Sequence, residues 1–226
     1  MKYPGGKNQP GTWRRIVNLM PPHTVYIECC AGSGAVLRNK RPALQSIAVD
    51  LDPKALALID RVAPNLSLIC ADVLEWLPKY KWKGCELVYI DPPYLPSTKR
   101  YNRYYRFEMP EPQQRRLLEI IKQIPAMVMI SGYASSLYDE ELAGWERREF
   151  RVFTCTHQPR TEVLWMNFRQ GDCLHDLRFV GMNFRERWRI KKRIRRWTSR
   201  LVRLAPTERA ALFSALVDVM EWNGSA

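Results

Sequence analysis

Apolar and polar positions alternate along this chain in a way that predicts short buried strands separated by helices. Five apolar, β-branched runs have the length typical of strands that are buried on both faces of a parallel sheet. They cover Val25–Cys29, Ile47–Leu51, Leu66–Cys70, Leu87–Ile90 and Met127–Ile130. Helix-like segments lie among them, at Pro53–Val62, Val73–Pro78 and Glu111–Ile124. This order predicts an α/β fold built on a parallel sheet.

Two further strands are predicted after the parallel set, at Glu149–Thr156 and Glu162–Phe168. Only His157–Thr161 separates them, which suits an antiparallel hairpin at the edge of the sheet. The composition changes near Asp176. We therefore expect a main domain over residues 1–175 and a helical C-terminal appendage over residues 176–226.

The appendage begins with a strongly basic segment. From Phe184 to Leu204 the chain carries ten Lys or Arg residues against one Glu. One apolar stripe recurs there at helical spacing, through Ile190, Ile194, Trp197, Leu201 and Leu204. Pro206 ends this helix, and Thr207–Trp222 predicts a second amphipathic helix. The basic helix fits contact with a DNA backbone, a membrane-surface position or a dimer interface.

The charge and the cysteine content of the chain indicate which binding partners and which cellular compartment to expect. The net charge of +13 and the pI near 9.7 predict attraction to polyanions, nucleic acid first and anionic membrane second. No apolar run approaches the roughly 20 residues that cross a bilayer, and the N-terminal segment lacks the apolar stretch of a secretory signal. The six cysteines contain no C-x-x-C pair and predict reduced, mostly buried thiols in a cytoplasmic protein. The three histidines are scattered, which argues against a metal site.

A glycine-containing turn follows the first predicted strand. It reads Glu28-Cys29-Cys30-Ala31-Gly32-Ser33-Gly34, and glycines at such a turn allow a ligand to approach the backbone closely. Asp50 ends the second strand, at about the distance of ~20 residues expected of an acid that binds ribose hydroxyls. Dinucleotide binding is an alternative here, although the glycines do not form G-x-G-x-x-G.

Two more aspartates follow strands and have two interpretations each. Asp52 either shares the ribose contact or caps the helix that starts near Pro53, and the cap is favoured. Asp72 either reaches the adenine ring of a bound cofactor or caps the helix before Val73.

The tetrapeptide Asp91-Pro92-Pro93-Tyr94 stands at the carboxyl end of the fourth predicted strand, the edge at which open α/β sheets bind ligands. Its two prolines remove backbone donors and leave carbonyl acceptors. A carboxylate, a carbonyl oxygen and an aromatic ring suit a planar ring that bears an amine.

The segment Ser97–Phe107 comes next and interleaves basic and aromatic residues. We expect phosphate and base contacts from Lys99, Arg100, Arg103, Tyr104 and Arg106.

These motifs together carry a family resemblance. Lys2-Tyr3-Pro4-Gly5-Gly6-Lys7, the Glu28 turn, Asp50 and Asp91-Pro92-Pro93-Tyr94 occur in the order found in Dam-type DNA adenine methylases. Ser131-Gly132-Tyr133 and the run from Arg160 to Asn167 resemble the smaller, often phage-encoded members. The resemblance covers about Met1 to Phe168. It implies a Rossmann-like class I S-adenosylmethionine-dependent methyltransferase sheet.

The resemblance also implies roles for individual residues. Tyr3, Lys7, Asp50 and Asp91 fall where the family holds S-adenosylmethionine, together with the turn residues Glu28, Gly32 and Gly34 and with Asp72. The segment from Asp91 to Tyr94 falls where the family holds the target adenine. Asp91 and the Pro92 carbonyl would accept the hydrogens of the amine, and Tyr94 would stack on the base. No metal is needed for direct methyl transfer.

The chain departs from the family at two places. The turn reads Glu-Cys-Cys where the family commonly has Glu-Pro-Phe, and only 56 residues separate Gly34 from Asp91, too few for the target-recognition insert of Dam itself. Sequence recognition must therefore come from elsewhere.

The expected partner is duplex DNA with a flipped adenine, and no membrane contact is expected. We expect a monomer or a weak homodimer, and a restriction nuclease is a possible further partner. The rival functions are an RNA adenine methyltransferase, a catalytically silent nucleic-acid-binding protein and, more remotely, a nicotinamide-dependent oxidoreductase.

Overall fold

The strands of the protein lie where the apolar runs predict them, with shifts at their ends. The structure is a computed structural model that describes residues 7, 11–59, 62–98, 106–153, 159–171, 173–181 and 183–222. Its strands are β1 (Val25–Cys29), β2 (Gln45–Asp50), β3 (Leu66–Cys70), β4 (Glu86–Ile90), β5 (Met127–Gly132), β6 (Glu146–Phe153) and β7 (Pro159–Met166). Both strands of the predicted hairpin start three residues earlier than the sequence suggests.

All seven strands form one sheet in the order β3-β2-β1-β4-β5-β7-β6. The first five pair in parallel, and β7 is antiparallel to both β5 and β6. The predicted α/β sheet with an antiparallel edge hairpin is therefore confirmed. Strand order changes direction between β1 and β4, and such a switch point opens a crevice at the carboxyl ends of its two strands.

The central strands belong to the hydrophobic core of the protein. Every residue of β1 and β4 is buried. Helix α4 (Glu111–Lys122) packs its apolar side on the core through Leu117, Leu118 and Ile121. Two fully buried strands side by side give the crevice at their ends a rigid base.

The helices depart from the sequence predictions mainly in length. Helix α2 (Pro53–Ala57) ends before the predicted Val62, and α3 (Val73–Trp76) continues as a 3-10 turn over Leu77–Lys79. Pro78 lacks the amide hydrogen that another α-helical turn requires. Helices α1 (Thr12–Val17) and α5 (Ser136–Glu141) were not predicted; both are too short to show helical periodicity.

The cysteine prediction is wrong in part. All five described cysteines are free, but Cys70 and Cys173 are exposed, and only Cys29 is fully buried. Cys70 is exposed because it ends β3, the strand at one edge of the sheet. Its apolar surroundings in the sequence do not reveal that edge position.

Residues 179–226 form a second compact unit, distinct from residues 1–178. It holds α6 (Phe184–Leu201) and α7 (Pro206–Trp222). The Asn183 side chain caps α6 by accepting from the Glu186 amide at 2.9 Å, and Pro206 opens α7. Within the described ranges, no helix combines the length and apolar content needed to span a membrane.

Candidate active site

A cavity of about 320 Å³ opens where β1 and β4 end side by side. The two strand ends are joined there, because the Asp91 amide donates to the Cys29 carbonyl oxygen at 3.2 Å. The volume lies at the small end of the range of roughly 300–1,000 Å³ for small-molecule sites. The sheet thus places a pocket at the topological switch point that the strand order predicts.

Most of the predicted cofactor residues line this cavity. The residues that do so are Lys7, Glu28, Gly32, Asp50, Asp72 and Asp91. Gly34, Pro92 and Tyr94 do not line it, whereas Pro93 and Arg106 do. Tyr3, also predicted to bind the cofactor, lies outside the described residues. Five lining carboxyl groups, with Glu108 as the fifth, face two lining cations, so the cavity carries an excess of acidic groups.

The glycine turn is shaped by left-handed backbone at Gly32 and Gly34, with φ of 52° and 62°. Gly34 also needs to be glycine for space, because a Cβ there would lie 2.4 Å from Cγ2 of Ile59. Gly34 therefore fixes the turn against Ile59, just after α2, while Gly32 faces the cavity.

Asp50 braces the turn from the end of β2. Its Oδ2 accepts from the Gly32 amide and its Oδ1 from the Asp52 amide, both at 2.8 Å. Burial raises the pKa of Asp50, and the backbone hydrogen bonds partly offset that effect. Each carboxylate oxygen has a second lone pair, so Asp50 can accept from hydroxyls of a ligand in the cavity.

Asp52 and Asp72 both act as helix caps. Asp52 Oδ1 accepts from the Lys54 amide at 3.0 Å, and Asp72 Oδ1 accepts from the Leu74 amide at 2.9 Å. The favoured interpretation of Asp52 is confirmed. Asp72 caps α3 and lines the cavity as well, so its two interpretations are compatible.

Arg106, which lines the cavity, forms an ion pair with Asp52. Its guanidinium lies 2.9 Å from Asp52 Oδ1 and remains about half exposed. Its predicted contact with phosphate stays a prediction. The other residues predicted for nucleic-acid contact, Lys99, Arg100, Arg103 and Tyr104, lie outside the described residues.

A buried charge cluster surrounds Asp91 on the side away from solvent. Lys7 Nζ lies 2.6 Å from Asp91 Oδ1 and 2.6 Å from Glu162 Oε1. Burial by itself lowers the pKa of Lys7, but Asp91 and Glu162 outweigh it and hold that pKa well above its ordinary value. One lysine thus serves two carboxyl groups, and it carries its charge at neutral pH.

The two oxygens of Asp91 have different surroundings. Besides Lys7, Oδ1 accepts from Ser131 Oγ at 2.8 Å, and Ser131 in turn contacts the Tyr89 hydroxyl at 3.1 Å. No described residue donates to Oδ2. Because Asp91 lines the cavity, Oδ2 is the oxygen left to accept from a bound ligand.

The two proline carbonyls after Asp91 also differ. The Pro93 carbonyl oxygen accepts from Gln114 Nε2 at 2.5 Å, and the Tyr138 hydroxyl donates to the other end of that amide. Among the described residues none donates to the Pro92 carbonyl oxygen. The tetrapeptide is therefore anchored through Pro93, and the Pro92 carbonyl oxygen is an acceptor that no described residue uses.

Tyr94 is anchored inward. Its hydroxyl accepts from Lys7 Nζ at 2.5 Å and donates to Glu162, and its ring meets the edge of Tyr133 with centroids 4.6 Å apart. Only 8% of Tyr94 is exposed. Stacking of this ring on a base stays a prediction, and it requires Tyr94 to turn out of the cluster.

Sequence reasoning missed the residues that complete this network. The sequence predicts no individual role for five of them, which are Glu162, Ser131, Tyr89, Gln114 and Tyr138. Glu162 and Ser131 nevertheless stand in motifs that resemble those of family members. The one available signal is Glu162, a carboxyl directly before the apolar second half of β7. Its partners Lys7 and Tyr94 are far away in the sequence, so no local pattern joins them.

A second buried carboxyl, Glu28, lines the cavity beside β1. It accepts from the Tyr26 hydroxyl at 2.7 Å. Burial raises the pKa of Glu28 to about 7, because the hydrogen bonds it receives only partly offset the lost hydration. Burial also lowers the pKa of nearby Lys40 to about 8.

One protein-family model matches part of the chain. Residues 52–149 match the family model of the D12 class N6 adenine-specific DNA methyltransferases, which is somewhat less than half of the chain. The match is consistent with a Dam-type adenine methyltransferase. It indicates that the chain is an enzyme, a methyltransferase, with S-adenosylmethionine as its methyl donor. No curated protein matches the chain.

Solved structures agree with the fold. The N-methyltransferase NodS from Bradyrhizobium japonicum WM9 is 14% identical with a TM-score of 0.50, over 71% of this chain and 93% of that one. Precorrin-6y C5,15-methyltransferase from Geobacter metallireducens GS-15 is 15% identical with a TM-score of 0.47, over 70% of this chain and 90% of that one. The likeness to NodS places the sheet among Rossmann-like methyltransferase folds.

The lining of the cavity fits S-adenosylmethionine. Its excess of carboxyl groups suits a ligand that carries a sulfonium and an ammonium charge. Asp50 offers acceptors for ribose hydroxyls, and the left-handed turn at Gly32 lets a ligand lie against the backbone.

Proposed function

We propose that this protein transfers a methyl group from S-adenosylmethionine to the exocyclic amine of adenine in duplex DNA. The observation that carries the proposal is a pair of acceptors that no described residue occupies. They are Asp91 Oδ2, in the cavity wall, and the carbonyl oxygen of Pro92, which follows it. An exocyclic amine has two hydrogens to donate, and these two oxygens match them.

The chain's own groups prepare the amine for reaction. Its nitrogen is a poor nucleophile because its lone pair is delocalised into the ring. Hydrogen bonds to Asp91 Oδ2 and to the Pro92 carbonyl favour a pyramidal nitrogen, on which the lone pair is localised and available for reaction. S-adenosylmethionine, held by Asp50, Gly32 and Asp72, supplies an electrophilic methyl group when bound. The protein's contribution is therefore positioning and electrostatics.

The charge cluster tunes Asp91 for this task. Lys7 and Ser131 fix the carboxylate through Oδ1, and none of the described residues donates to Oδ2. Glu162 shares the ammonium of Lys7, so the lysine does not neutralise Asp91 alone. Oδ2, in the cavity wall, is then the Asp91 oxygen that accepts from the amine.

The base must leave the duplex to reach this site. Asp91 and Pro93 lie in the wall of a cavity at the end of the sheet, which a stacked and paired adenine cannot enter. We assign Tyr94, with the basic and aromatic segment 97–107, to holding the extruded base and its strand. The cytoplasmic setting, the monomeric or weakly dimeric state and the restriction nuclease partner stay predictions from the sequence.

Transfer of radioactive methyl groups tests the proposal. Purified protein is incubated with tritiated S-adenosylmethionine and either unmethylated genomic DNA or total RNA, and the products are digested to nucleosides. We expect label in N6-methyldeoxyadenosine. Label in RNA alone would replace the proposed substrate by RNA. Cofactor binding by calorimetry without any transfer would support the catalytically silent alternative.

A further inference from the structure

Helix α6 carries a dense cationic face. At about 100° of rotation per residue, six basic residues fall within an arc of about 100°, and all six are exposed. They are Arg185, Arg189, Lys192, Arg193, Arg196 and Arg200, and we name this set the cationic face. It runs about 22 Å along the helix. The single acidic residue of α6, Glu186, lies in the first turn.

The cationic face works against the stability of its own helix. Four like-charge pairs stand four residues apart on it, and such pairs destabilise a helix. They are Arg185–Arg189, Arg189–Arg193, Lys192–Arg196 and Arg196–Arg200. The face is centred about 120° around the helix from the apolar stripe of Ile190, Ile194, Trp197 and Leu201, so the two sets of residues do not overlap. An external polyanion would relieve this repulsion.

We propose that the cationic face binds the phosphate backbone of duplex DNA without reading its sequence. The inference rests on the proposed function, because it takes its occupant to be the DNA that the enzyme methylates. Five of the six residues are arginines, whose planar guanidinium groups pair with phosphate through two hydrogen bonds at once. DNA carries closely spaced phosphates along its length, so several of them lie within reach of a row of cations as long as the cationic face.

An anionic membrane suits the helix less well. A helix lying in a membrane surface needs one continuous apolar side. In α6 the apolar residues fall on two separate sides, with Phe184 and Trp188 away from the stripe and Lys191 between them. A bilayer would therefore leave one apolar side uncovered, whereas DNA needs only the cationic face.

The proposed contact affects how the enzyme holds DNA rather than how it reacts. The cationic face should raise affinity for DNA of any sequence and make it strongly dependent on salt. It should leave turnover at saturating DNA unchanged, since its residues lie outside the charge cluster around Asp91. This separates the effects of α6 from those of the site.

The test compares two double variants of the full chain that lose the same charge. Arg189→Gln with Arg196→Gln removes two cations from the cationic face, and Lys191→Gln with Arg195→Gln removes two from the other side of α6. Binding to a short labelled duplex is measured by fluorescence anisotropy at several salt concentrations. The face variant should lower the slope of log affinity against log salt by about 2, roughly 0.9 per lost contact, and the control by much less.

Three outcomes would overturn the inference. They are an unchanged slope in the face variant, equal slopes in the two variants, or a face variant that loses only binding to phosphatidylserine vesicles. Label transfer by the wild type keeps the proposed function separate. If the wild type methylates adenine while the slope is unchanged, this inference alone fails. If the slope falls but no adenine is methylated, the face binds DNA and the proposed function fails.

Discussion

The protein carries positive charge in two contrasting settings. Lys7 is buried, and its ammonium lies within 2.6 Å of two carboxyl oxygens. The cationic face of α6 is exposed, and the helix offers it a single acidic residue in its first turn. The first setting holds a charge where water cannot screen it, whereas the second leaves charges for an external partner. A buried and paired cation such as Lys7 positions the carboxylate of Asp91, whereas the exposed cations of α6 attract DNA phosphates. Burial and pairing, rather than the number of cations, make this difference.

The two settings differ in their expected response to salt. Interactions between exposed charges fade with ionic strength, but those within a buried cluster are screened much less. DNA affinity should therefore fall steeply with salt, while turnover at saturating DNA should change little. This contrast gives each setting its own measurement, and the following predictions probe them separately.

The largest effect is expected from Asp91→Ala. The variant removes the acceptor Oδ2 and one of the two carboxyl partners of Lys7, while Glu162 still neutralises the lysine. Loss of one preorganised group typically costs about 10²–10³ in turnover, and we expect at least that loss here. Single-turnover methyl transfer measures it, with Glu111→Gln on the exposed side of α4 as the control. Near-normal turnover would remove Asp91 from the reaction.

A large effect on stability is expected from Glu28, a buried carboxyl whose pKa is raised by the loss of hydration. Its pKa of about 7 lies above its ordinary value of 4.5, so the folded state binds this proton more tightly than the unfolded state. The resulting stability is full below pH 4.5 and is lost as the pH rises through 7. The loss amounts to about 3 kcal/mol, because each pKa unit corresponds to roughly 1.4 kcal/mol.

Urea unfolding of Glu28→Gln tests this prediction. The variant should match the wild type near pH 4.5 and exceed its free energy of unfolding above pH 7, since glutamine keeps the Tyr26 hydrogen bond and cannot ionise. Glu75→Gln, at an exposed ion pair on α3, should show no such trend. A constant difference between Glu28→Gln and wild type across this pH range would contradict the assigned pKa.

A smaller effect is expected from Glu162→Gln. Glutamine keeps an acceptor for the Tyr94 hydroxyl but leaves the full charge of Lys7 on Asp91, which weakens Oδ2 as an acceptor. We expect turnover to fall roughly tenfold, equivalent to about 1.4 kcal/mol, with the affinity for DNA unchanged. Glu149→Gln on the adjacent strand β6 is the matched control. A change in DNA affinity with normal turnover would show that Glu162 acts on binding instead.

The sequence predicted one half of this site well, for a physical reason. Asp50 and Asp91 follow apolar runs that are buried strands, and the carboxyl ends of parallel strands meet at one edge of a sheet. The alternation of strands and helices therefore brings the two acids to the same cavity. Capping at Asp52 and Asp72 was also predictable, because an N-cap acts within a few residues of the chain.

The other half of the site depends on contacts that no local pattern records. Glu162 reaches Lys7 and Tyr94 only because the edge hairpin folds back along β5. The burial of Tyr94 follows from those two partners rather than from its own motif. Periodicity likewise missed α1 and α5, which are a turn or two long.

The smallest effect concerns the stability of α6 itself. Removing Arg189 and Arg196 abolishes all four like-charge pairs on the cationic face, and glutamine is nearly as good a helix former as arginine. At low salt, Arg189→Gln with Arg196→Gln should therefore strengthen the helix by up to about 1 kcal/mol, and high salt should erase the gain. Far-UV circular dichroism during heating measures this; Lys191→Gln with Arg195→Gln abolishes only the pairs Arg187–Lys191 and Lys191–Arg195 and should show about half the gain. A loss of helix in the face variant would mean that these arginines pack within the protein. A gain of helix with a weaker hold on DNA would mean that the helix gives up stability to keep its charges available to phosphate.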